Sequence, residues 1–250
     1  MKNSAVALLL CAFIASAATA QEEPIPPKRS SAVKFGFFGG FTPGWLNVNV
    51  GPINEFLTGA GAAPLRNNGV FMFGGAGAAY IMIIPNVRVG GVGMSGSISS
   101  TSLDAAGLRR DAKLVVGYGG VTVEYVVPIM DRLDVAAGIM LGTGGMDLTL
   151  RESNGGNDSW ASEQKYFQSG LTAPPYTITR TLSGSFIVWV PSVYVEYAIL
   201  GWLGSRVGVS YTGMSAPSWQ VDANYDLLGV PSSVSGRGVM INAGVFVGIF

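Results

Sequence analysis

Apolar and polar residues alternate along most of this chain from residue 32 onward. Period-two alternation predicts β-strands, because successive side chains of a strand point to opposite faces of the sheet. The alternating stretches predict eight strands, at 32–42, 70–83, 87–101, 112–128, 132–151, 181–199, 205–216 and 237–250. The sequence therefore predicts an all-β protein whose strands follow one another along the chain.

The connections between these strands alternate in length. The second and third strands are joined by "IPN", the fourth and fifth by "IMDR", and the sixth and seventh by "LGWLGS". The remaining connections are long and cover 43–69, 102–111, 152–180 and 217–236. Short turns at one end of an up-and-down meander and long loops at the other are typical of bacterial outer-membrane barrels, which have an even number of strands.

One face of each predicted strand is apolar, and the other carries few charges. In the fourth strand, Val121, Val123 and Tyr125 share one face, whereas Thr122 and Glu124 lie on the other. A secreted β-sandwich gives the same alternation, but its polar face is wet and well populated with charges. Here the second face holds about one charge per strand among small residues, Met and Tyr, which fits the packed lumen of a narrow barrel. We therefore predict a closed antiparallel eight-stranded transmembrane β-barrel.

The start of the chain predicts export. Residues 1–20, "MKNSAVALLLCAFIASAATA", combine an early Lys2 with an apolar stretch and a small-residue cleavage site, as in a secretory signal peptide. Residues 21–31 are polar and rich in proline, which predicts a disordered periplasmic leader before a barrel domain at 32–250. The uncharged segment 69–85 could also be a membrane helix, but its interior glycines favour a buried strand.

Composition excludes several kinds of chemistry. The chain has no histidine, and its one cysteine, Cys11, is lost with the signal peptide. Without these residues, nucleophile–histidine catalysis and ordinary zinc sites are excluded. Fifteen basic and fifteen acidic residues balance, so nothing indicates a nucleic-acid partner. The loop "NGGNDSW" at 154–160 could offer oxygen ligands to calcium, but we interpret it as a polar loop tip. We predict no catalytic, cofactor-binding or metal site, and we expect that the protein is not an enzyme.

The signal peptide, the alternating loop lengths and the last strand, "GVMINAGVFVGIF", together resemble the small outer-membrane β-barrel proteins of Gram-negative bacteria. The resemblance covers a class of architecture and no specific family. In that class the last strand ends on an aromatic residue that the barrel-assembly machinery recognises. The resemblance thus implies an assembly signal at Phe250, with Phe246 on the same face, and an outer-membrane location in a lipid bilayer. The sequence departs from the class at Gly248, where a hydrophobic residue is usual.

Charged residues of the inward face lie close to the short turns, and their charges sum to zero. Since burying one charge alone costs several kcal/mol, we predict that they pair across the lumen as an ion network. The alternative is that they extend to periplasmic water. The predicted network consists of Lys34, Arg88, Glu124, Asp134, Glu196 and Arg206.

Aromatic residues of the kind that favour membrane interfaces occur near both ends of the predicted strands. Tyr125, Tyr197 and Trp202 lie near the short turns. Those near the long loops are Trp45, Trp160, Trp219 and Tyr225. This placement predicts two aromatic belts, and simple loop packing is the alternative for each residue.

Pro191 interrupts the sixth predicted strand, where proline cannot donate a hydrogen bond to the ladder. It is either a bulge without a role or a lateral opening through which a small hydrophobic ligand passes into the membrane.

Two function classes follow from these predictions. The preferred one is a structural or surface-interaction role, with a side-chain-filled lumen and long loops that meet an extracellular partner. The alternative is a passive conduit for small hydrophobic solutes through an opening near Pro191.

Overall fold

The computed structural model describes residues 36–81, 83–105, 107–153, 164 and 177–249. The predicted signal peptide and leader, Lys34, the loop at 154–160 and Phe250 lie outside the described residues. Within the described ranges there are one helix and eleven strands, in the order β1 Phe37–Phe41, β2 Gly44–Val48, α1 Gly51–Gly59, β3 Val70–Tyr80, β4 Val87–Leu103, β5 Arg109–Met130, β6 Leu133–Ser153, β7 Thr177–Ala198, β8 Leu203–Met214, β9 Ser218–Val221, β10 Tyr225–Asp226 and β11 Gly238–Ile249.

The sheet closes into an antiparallel ring. Around the ring, β1 and β2 pair with β3, each strand from β3 to β8 pairs with the next, and β8 pairs with β11. β11 then pairs with both β1 and β2. The fold is therefore a closed β-barrel, as the sequence predicts, and closure leaves no open edge between the first and last strands.

The described part of the chain has eleven strands where the sequence predicts eight. β1 and β2 share the same two neighbours, so the break at Thr42 and Pro43 interrupts a single position in the ring. The predicted first strand ends at residue 42, directly before Pro43, which lacks an N–H donor. The ladder nevertheless continues through Thr42 N–H, which donates to Gly74 O at 2.9 Å, and through Pro43 O, which accepts from Ala243 N–H at 3.1 Å. β9 and β10 form a short hairpin on β7 that the sequence analysis did not predict.

Residue parity separates the inside of the barrel from the outside. In β1 to β8 and in β11, even-numbered residues point into the lumen and odd-numbered residues point outward. The parity is uniform because the cross-strand pairs of these strands, such as Arg88 with Glu124, join two even or two odd residues, except for Met130 with Leu133 at the register shift next to a short turn. Outward residues include many large apolar side chains that are half exposed, such as Val193, Ile187 and Ile241. An apolar exterior on a closed barrel is the surface that a lipid bilayer requires.

The long strands extend well beyond this apolar band. β7 has 22 residues, whereas a membrane-spanning strand needs roughly 9–11. Its outward residues from Ile187 to Tyr197 are apolar or aromatic, and those from Thr177 to Ser185 are all Ser or Thr. β4, β5 and β6 make the same change from apolar to polar along their outward faces. We call the outward faces of β4 to β7 beyond the apolar band the polar wall. Across the described residues, no helix reaches the length and apolar character needed to span a membrane.

Aromatic side chains mark both borders of the apolar band. Tyr125, Tyr197 and Trp202 are exposed near the short turns. At the other border, Trp45 lies against Phe71, with ring centroids 6.2 Å apart. Two of the predicted belt residues do not lie exposed at a border of the band. Trp219 is buried, with 8% of its surface exposed, and Tyr225 lies on β10, beyond the band. Trp160 lies outside the described residues.

The difference at Trp219 has a local cause. After the break at 215–217, residue parity is reversed, so that odd-numbered Trp219 is buried in β9. Its indole covers Gly184 of β7, where a Cβ atom would lie 2.9 Å from the ring. A pattern read along one strand cannot show such a reversal.

The apolar band predicts that substitution by arginine lowers the free energy of unfolding by different amounts at two heights on β7. Val193→Arg places a charge in the middle of the lipid-facing surface and should lower the free energy of unfolding by about 2–4 kcal/mol. Ser183→Arg, on the same face but in the polar wall beside Asp147, should change it by no more than about 0.5 kcal/mol. Reversible denaturant unfolding in lipid vesicles measures both values. Equal costs at the two positions would contradict the assignment of the band.

Candidate functional site: the barrel lumen

Strand register brings four charged residues together inside the barrel, near the short turns. Arg88 of β4 is paired with Glu124 of β5, and Glu196 of β7 is paired with Arg206 of β8. Each pair combines opposite charges on even-numbered, inward positions. We call these four residues the ion cluster.

Arg88 is the centre of the ion cluster. Its Nε donates to Glu124 Oε2 at 2.6 Å, and its Nη1 donates to Glu196 Oε2 at 2.8 Å. Its Nη2 also donates to Glu196 Oε1, which makes the pair with Glu196 bidentate. Because only 2% of Arg88 is exposed, these bonds replace nearly all of its hydration. The guanidinium thus joins carboxylates from two strands across the lumen.

Arg206 is held differently, largely by aromatic rings. Its Nη1 lies 3.4 Å from Glu124 Oε1 and 3.8 Å from Glu196 Oε1, so its ion pairs are longer than those of Arg88. Its guanidinium carbon lies 4.1 Å from the centroid of the Tyr194 ring and 4.6 Å from that of Phe246. Cations are attracted to ring faces at such distances. The inward ring of Phe246 therefore packs against a buried charge.

The structure places the six predicted network residues as follows. Four of them form the ion cluster. Asp134 is half-buried and lies next to Glu196 in the β6–β7 register. Lys34 lies outside the described residues. Glu124 has room because its neighbour on β6 is Gly138, where a Cβ atom would lie only 2.6 Å from Glu124 Cγ. The assembly signal at Phe246 and Phe250 stays a prediction, because Phe250 also lies outside the described residues.

Beyond the ion cluster the lumen is filled by apolar side chains. Among the residues that the structure describes, six inward methionines are each at most 5% exposed: Met72, Met94, Met140, Met146, Met214 and Met240. The Tyr118 hydroxyl lies 3.4 Å from Met240 Sδ and 3.9 Å from Met94 Sδ. Methionine fills irregular spaces because it is long and unbranched. The sequence predicts methionine on the inward face but does not predict that six of them pack together, although all six occupy even positions.

A short helix closes the mouth of the barrel above the methionine layer. Ile53 and Leu57 of α1 are buried and belong to the same hydrophobic cluster as the lumen methionines. The chain after α1 is fixed by Asn54, whose Nδ2 donates to Leu65 O at 3.0 Å and whose Oδ1 accepts from Leu65 N–H at 2.7 Å. Leu65 is itself buried. The first long connection therefore acts as a plug.

Pro191 lies on the outward face of β7. Its pairing with β6 continues through Ile139, but the β7–β8 ladder is interrupted between Trp189 and Ser192. The register is the same on both sides of the interruption, so the interpretation as a bulge is wrong. The wall is covered on both sides, since Val190 is buried in the lumen and Trp189 contacts Tyr211 outside, with ring centroids 5.8 Å apart.

The chemistry of the lumen is that of packing and charge pairing. Within the described ranges, no group of three or more His, Cys, Asp or Glu side chains is arranged to hold a metal ion. The carboxylates of the ion cluster are both bonded to arginine. The site is therefore best described as a neutral ion cluster beneath an apolar filling.

The ion cluster predicts a non-additive response to mutation. Glu124→Gln leaves an uncompensated positive charge in the lumen and should lower the free energy of unfolding by about 3–5 kcal/mol. Combining it with Arg206→Met restores neutrality, so the double variant should be more stable than Glu124→Gln alone. A double-mutant cycle measured by denaturant unfolding gives this coupling. Additive losses in the two single variants would show that the charges do not interact.

No family model matches this chain, and no curated protein sequence does. Among solved structures, it is similar to Ail, the attachment invasion locus protein of Yersinia pestis, in complex with the heparin analogue sucrose octasulfate. The identity is 9%, the TM-score is 0.36, and the match covers 86% of this chain and 97% of Ail. A major outer membrane protein from Thermus thermophilus matches at 10% identity and a TM-score of 0.46, over 86% of this chain and 99% of that protein.

The outer membrane protease OmpT from Escherichia coli matches at 8% identity and a TM-score of 0.30, over 89% of this chain and 98% of OmpT. At these values, none of the three likenesses bears on function. The barrel assignment rests on the closed strand pairing and lipid-facing band of this chain itself. On that basis the chain has the architecture of the small outer-membrane β-barrels.

Proposed function

We propose that this protein is an outer-membrane β-barrel with a structural or surface-interaction role, and that it does not conduct solutes. The observation that carries the proposal is the filled lumen. The ion cluster, the methionine layer and α1 succeed one another from the short turns to the mouth. A conducting barrel needs a continuous aqueous path, and narrow barrels filled by side chains lack one.

The polar wall supports a role outside the membrane. Its surface combines the Ser and Thr residues of β7 with charged residues of β5 and β6, among them Lys113, Asp147 and Arg151. Its long strands are paired along their whole length; β5 and β6, for example, pair from Arg109 with Ser153 down to the short turn. A rigid polar surface of this kind is better suited to contact with another molecule than to catalysis.

Both edges of the polar wall are fastened to neighbouring chain segments. On the β4 side, Ser100 Oγ donates to Ala63 O at 2.7 Å. On the β7 side, Asp222 of the β9–β10 turn accepts from Thr181 N–H at 3.0 Å, and Asp222 N–H donates to Thr181 O at 2.8 Å. These bonds support a platform that keeps its shape.

The proposal includes a non-catalytic role. The chain contains no histidine, and its one cysteine lies in the predicted signal peptide. The buried carboxylates are committed to ion pairs with Arg88 and Arg206. These features support a role in which the barrel presents a surface instead of transforming a substrate.

The conduit is the second candidate, and the interrupted β7–β8 ladder at Pro191 is the observation that favours it. Lateral exit at this point would require Val190 and the Trp189–Tyr211 contact to move apart. Both sides of the wall are covered in this structure, so we prefer the closed role.

Uptake measurements separate the two candidates. Liposomes that contain the folded protein should show no steady ion conductance and should take up small hydrophobic solutes no faster than protein-free liposomes, because the lumen is filled. Pro191→Val should leave uptake unchanged. Faster uptake by the wild type that is lost in folded Pro191→Val would establish the conduit and overturn the closed role.

Asp222 predicts a pH-sensitive contact at the edge of the polar wall. The backbone N–H of Thr181 and the guanidinium of Arg180 hold the pKa of Asp222 below its ordinary value. A lowered folded-state pKa means that the contact is complete above the ordinary aspartate pKa and is lost as pH falls through the lowered value. The Thr181 amide proton shift in NMR spectra should therefore titrate with a midpoint below that of a free aspartate, and Asp222→Asn should abolish the titration. A midpoint at or above the ordinary value contradicts the assignment.

A further inference from the structure

A small cavity lies inside the barrel between the ion cluster and the methionine layer. Its volume is about 20 Å³. Its lining combines apolar side chains, such as Met94 and Met140, with polar ones that include Glu124, Arg206 and Asn242. The space is large enough for about one water molecule.

Polar atoms without a protein partner collect on one side of the lumen. In the described part of the chain, the buried side-chain atoms with no hydrogen-bond partner are Thr42 Oγ1, Arg206 Nε, Ser210 Oγ, Thr212 Oγ1 and Asn242 Oδ1. They lie on β8, on β11 and at the break between β1 and β2, which are adjacent in the ring. A buried polar atom that is left unsatisfied destabilises the fold, because it has lost its hydration and gained no partner. Their concentration on one wall indicates a shared ligand.

Two of these atoms belong to residues that line the cavity. Arg206 and Asn242 are at least nine-tenths buried, and each leaves one atom unpaired. Asn242 uses its Nδ2 on the Tyr194 hydroxyl at 3.4 Å, which leaves its Oδ1 as an acceptor. Ser210, close by on β8, offers a hydroxyl that can donate or accept. Thr212 is set aside, because it does not line the cavity.

The chemistry of these atoms selects the ligand. Arg206 Nε–H can only donate, and Asn242 Oδ1 can only accept. A halide could satisfy the first but not the second. A soft cation would suit the methionine sulfurs but would lie beside the Arg206 guanidinium. Because the arginines and glutamates of the ion cluster already balance, a neutral ligand adds no buried charge.

We propose that this cavity is a binding site for one water molecule that accepts from Arg206 Nε and donates to Asn242 Oδ1, with Ser210 Oγ as a third partner. The site goes beyond the proposed function, because it concerns neither the polar wall nor solute passage. It connects the ion cluster on β8 to the last strand, β11, in the interior of the barrel. The bound water is part of the fold.

A high-resolution crystal structure of the folded protein tests the site directly. We expect one density peak about 2.7–3.2 Å from both Arg206 Nε and Asn242 Oδ1, without anomalous signal in crystals soaked in bromide or in silver. An anomalous bromide peak at this point would establish an anion site and overturn the proposal. A silver peak beside the methionine sulfurs, or a cavity without density, would overturn it as well.

A pair of variants adds a matched control. Asn242→Leu removes the acceptor at similar size and should abolish the density peak. Met94→Leu changes the apolar side of the same cavity and should keep it. A peak that survives in Asn242→Leu contradicts the assigned partners. If Asn242→Leu does not fold, as shown by loss of heat-modifiable gel migration, the wild-type crystals alone decide the proposal.

Discussion

Every backbone N–H and C=O group within a bilayer has to find its partner inside the protein, because hydrocarbon offers none. In this chain the requirement is met by pairing β11 with β1 and β2, which closes the sheet. Closure also explains the tolerance of Pro43. Pro43 has no N–H to donate, but it lies between β1 and β2, which pair with the same two strands. The ring therefore continues past the break. Uniform residue parity in β1 to β8 and β11 follows from the same pairing and assigns each side chain of these strands to the outside or to the lumen.

The narrow lumen is the second constraint, because it limits which side chains can occupy inward positions. Charged groups cannot keep their hydration there, so they pair with one another and lie against aromatic faces. Large side chains need space on the opposite strand, and glycine supplies it where the backbones approach closely. At Gly144 a Cβ atom would lie 2.4 Å from the Phe186 ring, as Gly138 similarly makes room for Glu124. Flexible methionines occupy the irregular space that remains.

Much of this architecture could be predicted from the sequence, because strand period and face composition are local properties. The alternation identified the lipid face, and the position of charges next to short turns indicated the region in which Arg88, Glu124, Glu196 and Arg206 meet. Features that depend on neighbours in space could not be predicted in the same way. The predicted first strand stops at residue 42, whereas the bonds that carry the ladder past Pro43 come from β3 and β11 and are not visible along the chain. Trp219 was assigned to a belt because it lies near a long loop, and the parity reversal that buries it is visible only in three dimensions. At Pro191, the sequence could not distinguish a bulge from a lost ladder bond in unchanged register.

The position of the ion cluster in the ring has a consequence for the order of events during biogenesis. Its charged residues belong to β4, β5, β7 and β8, whereas the rings of Phe38 and Phe246, which face its arginines, come from the first and last strands. Phe38 and Phe246 themselves meet edge to face, with centroids 5.0 Å apart, only when the sheet is closed. An open sheet lying in hydrocarbon would keep the register pairs of Arg88 with Glu124 and of Glu196 with Arg206, but it would lack both the Arg88–Glu196 bonds across the lumen and the cover of the two rings. Insertion of single strands would expose unpaired charges and is disfavoured for such a chain, and joining of the two ends completes the cover of the ion cluster.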